Sequence, residues 1–64
     1  MHKFWQDYCA ARDAFTAAPS AFLAVRAIKL FEKWAAEFCP IEAHTIIPPL
    51  RLRYLAALDE ATAA

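Results

Sequence analysis

The chain has 64 residues, no glycine, and seven basic side chains against seven acidic ones. That length allows one small domain, and a chain so short buries only about 60% of the surface its unfolded form exposes. Zero net charge is not the overall electrostatic footprint of a nucleic-acid-binding domain, and the missing glycine excludes a Gly-rich phosphate loop and disfavours hairpin turns that need positive φ.

Hydrophobic residues make up 61% of the sequence, above the roughly 45–50% usual in globular domains. Alanine, the best helix former, recurs throughout. The expected fold class is therefore all-α: a small three-helix chain forming one domain over 1–64. Its helices are placed at about 3–17, 20–39 and 49–62, with a linker at 40–48.

In the first helix Phe4, Tyr8, Ala11, Phe15 and Ala18 recur at three- and four-residue spacing and share a face. Trp5 and Cys9 form a flanking ridge, and Arg12 lies between the two, its stem able to rest on aromatic surface. Lys3 and Asp7, four apart, make a candidate surface pair. The stretch Ala17-Ala18-Pro19-Ser20 interrupts the pattern. Either Thr16 or Ser20 caps the next helix, and either choice makes helices one and two antiparallel neighbours; a single kinked helix is the third reading.

The second helix carries the strongest pattern. At about 100° per residue, Leu23, Ala24, Ala27, Ile28, Leu30, Phe31, Trp34, Ala35 and Phe38 fall on one half of the cylinder. Arg26, Lys29, Lys33 and Glu37 fall on the other, with Glu32 at the margin. An apolar face of roughly 180° exceeds the ~100° stripe of an ordinary surface helix, so it predicts more than one neighbour. Lys29 with Glu32 and Lys33 with Glu37 are candidate surface pairs. Pro40 is expected to end this helix, because it pushes Cys39 toward extended geometry.

The linker PIEAHTIIPP is stiffened by Pro40, Pro48 and Pro49, with Ile46 and Ile47 tucking against helix faces and 41–45 able to form a helical turn. The third helix is expected to start at Pro49, a first-turn position that tolerates proline. Leu50, Tyr54, Ala57, Leu58 and Ala61 share a face; Leu52 and Leu55 lie off it. The alternation Leu50-Arg51-Leu52-Arg53-Tyr54 also fits a short strand, but the Ala-rich continuation favours helix.

Little in the chain carries reactive chemistry. Cys9 and Cys39 form no metal or redox spacing. In a hairpin turning near Pro19 they would sit about 15 and 30 Å from the turn, too far apart for a bridge that needs Cα atoms within ~7 Å. They read as reduced thiols of a cytoplasmic protein, with an interchain bridge as the alternative. Cys39 and His44 are close in sequence, yet a helix C-terminus raises a thiol's pKa rather than lowering it. His2, Cys9, Cys39 and His44 lack metal-ligand spacing, and the carboxylates are scattered rather than paired. No enzyme activity, cofactor or metal is expected. Asp7 interrupts any signal-peptide core, and no run approaches the ~18 apolar residues of a membrane span.

Nine aromatic residues are more than one small core needs, and such side chains anchor interfaces. The functional expectation is a non-enzymatic interaction or structural protein, a homo-oligomer or a small accessory subunit of a larger complex, whose bundle is completed by other chains. The partner interface is placed on Leu23, Ala27, Ile28, Phe31, Trp34 and Phe38. The alternative is a small dimeric DNA-binding regulator using Arg51 and Arg53 at the start of the third helix, or Arg26, Lys29 and Lys33 on the second. A third reading sets that second-helix stripe on a membrane surface.

Overall fold

The computed structural model describes residues 3–63. It consists of three helices in chain order: α1 (Lys3–Ala17), α2 (Ala21–Phe38) and α3 (Pro40–Ala63). Among the described residues there is no strand.

Ser20 sets the first joint. Its extended backbone and its side chain, which accepts a hydrogen bond from the Leu23 amide at 3.2 Å, cap α2 and satisfy one of the first-turn donors that a helix leaves open. The competing cap residue, Thr16, instead donates its hydroxyl back to the Arg12 carbonyl at 2.9 Å. The turn folds α2 back along α1. Trp5 therefore meets Trp34 (ring centroids 4.9 Å) while Tyr8, one turn further on, meets Phe31 (5.3 Å).

The second joint is a single residue. Cys39 leaves the helical region at φ −143°, ψ 59° while its amide still donates to the Ala35 carbonyl. The linker expected at 40–48 is helical, because α3 already begins at Pro40. Proline is well suited to a first helical position, where its missing N–H costs nothing, and Glu42 in the first turn complements the helix dipole. The prolines that looked like a boundary, Pro48 and Pro49, lie inside α3. They remove the donors that would bond the His44 and Thr45 carbonyls, and both of those residues are exposed to water. Ile46 and Leu50, on either side of the prolines, pack on the core and anchor the helix through this weak stretch.

The core follows the apolar faces of the sequence. Tyr8, Ala11 and Phe15 of α1, Ala24, Ala27, Phe31 and Ala35 of α2, and Tyr54 of α3 are buried. The small alanines bring the helix backbones together and the rings fill the space beside them. Leu23, Ile28, Leu30 and Trp34 pack around this centre half-buried.

The helices do not close into a triangular bundle. α2 packs on both α1 and α3, whereas no Cα of α1 comes within 8 Å of a Cα of α3. The Cα envelope measures 37 × 23 × 14 Å. A width of 23 Å with a thickness of 14 Å fits neither a flat layer, about 5 Å thick across its Cα atoms, nor a closed triangle about 14 Å wide; the outer helices are splayed about α2. The radius of gyration, 11.9 Å, exceeds the roughly 10.7 Å of a compact chain this long. The chain is a shallow trough with α2 at its base.

These placements predict a ranking of stability losses. Phe31→Ala should cost on the order of 3–5 kcal/mol and Ser20→Ala about 1 kcal/mol, measured by urea unfolding followed by circular dichroism. A Phe31→Ala protein as stable as the parent would contradict this core.

Candidate interaction surfaces

Two kinds of surface remain once the core is assigned: apolar faces turned to solvent, and the groove between α1 and α3.

The longest apolar face runs along α3. Ile41 is 79% exposed, Leu52 68% and Leu55 51%. Together with Pro48 they follow spacings of seven, four and three residues, which gathers them into one stripe. The side chains that α3 buries or half-buries, Ile46, Leu50, Tyr54, Ala57 and Leu58, lie on the opposite side. A second apolar patch sits on the outer side of α2. There Phe22, 74% exposed, lines a shallow depression of about 280 Å³ with Val25, Leu30, Arg26 and Lys29.

The interface residues expected from the sequence stand largely inside the chain. Ala27 and Phe31 are buried in its own core, Leu23, Ile28 and Trp34 are half-buried against it, and Phe38 is exposed. The wide face of α2 is used up by two neighbours within one chain, α1 and α3. Apart from Phe38, the large apolar side chains open to a partner are others. Leu52 and Leu55 could be noticed in the sequence as surplus to the buried face of α3; Ile41 was hidden because 40–48 read as a linker.

The basic residues do not form one site. Arg26 and Lys29 wall the α2 depression. Lys33 reaches across to α1, its ammonium 5.7 Å from the Phe4 ring centroid. Arg51 is bonded to Glu32 of α2, and Arg53 borders the groove between α1 and α3. Because α3 begins at Pro40, Arg51 and Arg53 lie mid-helix and not in the N-terminal turns that a recognition helix presents to bases. The surface pairs expected of Lys3 with Asp7, Lys29 with Glu32 and Lys33 with Glu37 do not form; the ion pairs among the described residues are Arg12–Asp13 and Arg51–Glu32.

In the α1–α3 groove the Tyr8 and Tyr54 hydroxyls are hydrogen-bonded at 3.0 Å, and the Phe15 ring lies edge-on to Tyr54 at 5.1 Å. Both tyrosines were legible as core-face aromatics, but nothing in their spacing brought the two hydroxyls together. Burial, and then the bond to Tyr8, push the Tyr54 pKa well above its ordinary value; Arg12 and Arg53 oppose that shift weakly.

Among the described residues no cluster of three or more His, Cys, Asp or Glu could hold a metal ion. His2, one of the residues weighed as a ligand, lies outside the described residues. Cys9 and Cys39 are free thiols. No described helix is long and apolar enough to cross a membrane. No protein-family model matches the chain, and comparison with curated proteins and with solved structures returned no match.

Tyr54 gives the fold an alkaline limit. Because its folded-state pKa is raised above the unfolded value of about 10, its contribution is fully present below that pH and is lost as pH climbs beyond it. The thermal midpoint of the parent should fall more steeply above about pH 10 than that of Tyr54→Phe. Parallel pH profiles would contradict the burial of this hydroxyl.

Proposed function

We propose that this chain is a non-enzymatic interaction protein that assembles with copies of itself, the solvent-facing side of α3 forming the contact. The observation that carries the reading is the stripe of Ile41, Pro48, Leu52 and Leu55, which lies opposite the packed side of α3 and has no cover within the chain. Apolar side chains at seven-, four- and three-residue spacing on an open helix face suit packing against another helix. A second copy presents the same stripe, so a two-fold contact is self-complementary. Zero net charge adds no long-range repulsion between copies.

The trough shape supports the same reading. The accessible surface, 4459 Å², exceeds the roughly 4,100 Å² of a compact monomer of this mass. Association on α3 returns part of that excess to a shared core. A small accessory subunit would use the same stripe against a different helix.

Light scattering coupled to size exclusion tests the proposal. The parent should elute as a dimer or larger species, and Leu52→Glu combined with Leu55→Glu should elute as a monomer with unchanged helical circular dichroism, since neither side chain belongs to the core. A parent that stays monomeric at high concentration would overturn it.

A further inference from the structure

The groove between α1 and α3 is independent of the α3 stripe and has chemistry of its own. Its volume is about 210 Å³, below the roughly 300–1,000 Å³ of sites for drug-sized ligands, so an occupant would be about the size of one ring and one polar group. The floor is apolar, with Phe15 and Leu50 from facing helices. The polar groups are two arginines and the hydroxyls of Tyr8, Tyr54 and Thr16, and no Asp or Glu lines the groove; Thr16 spends its own proton on the Arg12 carbonyl.

Arg12 comes from α1 and Arg53 from α3, so the two arginines border the groove from both sides, and both charges act on the Tyr54 hydroxyl. Among the described residues Arg53 makes no ion pair. Arg12 engages only one oxygen of Asp13, through Nε and one Nη, and is exposed. The tyrosine pair adds a third donor. Either hydroxyl can donate in the Tyr8–Tyr54 bond; whichever does, the other O–H remains uncommitted.

We infer that this groove binds a small aromatic monocarboxylate, its ring on the Phe15–Leu50 floor and its carboxylate between Arg53, Arg12 and the free tyrosine O–H. A carboxylate is the complement of this set: it accepts only, it matches the planar guanidinium fork, and an aromatic ring suits an apolar slot edged by Phe15 and Tyr54. An amine of the same shape meets two like charges and no acceptor carboxylate.

The test is a titration of the full chain with phenylacetate and, separately, with phenethylamine, followed by the ring resonances of Tyr8, Phe15 and Tyr54. Phenylacetate should shift those rings in a saturable way and phenethylamine should not. Arg53→Gln, an exposed change that leaves the helices intact, should weaken phenylacetate at least tenfold, about 1.4 kcal/mol. The doubly substituted Leu52→Glu, Leu55→Glu chain should bind as the parent does, which separates this site from self-association. Equal binding of the amine, an unaffected Arg53→Gln protein, or shifts lying outside the groove would overturn the inference.

Discussion

Tyr54 joins two helices, α1 and α3, whose Cα atoms nowhere come within 8 Å of each other. Its ring packs edge-on against Phe15 and its hydroxyl bonds Tyr8, both on α1. A tyrosine suits this position because its ring reaches across a gap that an aliphatic side chain of similar bulk would leave open. Its hydroxyl then finds a partner, as a buried polar group must. The contact continues as a run of rings, Tyr8 to Phe31, Phe31 to Trp34 and Trp34 to Phe38, so the same aromatic chain ties α3 to α1 and α1 to α2.

The open trough follows from that arrangement. Alanines at the α2 contacts allow close approach on both of its flanks, and the tyrosine bridge holds the outer helices at a distance. The consequence is a chain with two distinct sides. The inner side forms a groove bordered by arginines and hydroxyls. The outer side of α3 carries Ile41, Leu52 and Leu55 into solvent, and that is where the proposed contact between copies lies. The two sides are separated by the thickness of α3, so occupancy of one leaves the other accessible.

Much of the fold was legible in the sequence because it rests on periodicity. The faces of α1 and α2 and the buried position of Tyr54 follow from three- and four-residue spacing, while turn chemistry narrowed the cap of α2 to Thr16 or Ser20 without choosing between them. The start of α3 was not, because proline gives two opposite signals. Pro40 reads as a stop for α2 and is equally the first residue of the next helix, while Pro48 and Pro49 read as a boundary although Ile46 and Leu50 hold the helix through them. That misplacement hid Ile41 and put Arg51 and Arg53 at a helix start they do not occupy. The candidate interface was less legible still. The wide apolar face of α2 predicts two neighbours, and a sequence pattern carries no information on whether they come from the same chain. Here both do, which buries Ala27 and Phe31 internally and moves the exposed apolar surface to α3 and to Phe22.

The bridge can be observed directly in a sample that mixes isotope-labelled and unlabelled chains, so that contacts within one chain are distinguished from contacts between chains. Nuclear Overhauser effects within a chain should connect the Tyr54 ring protons to the rings of both Tyr8 and Phe15. A Tyr54 ring that shows contacts within its own chain only to α2, with none to α1, would contradict the account.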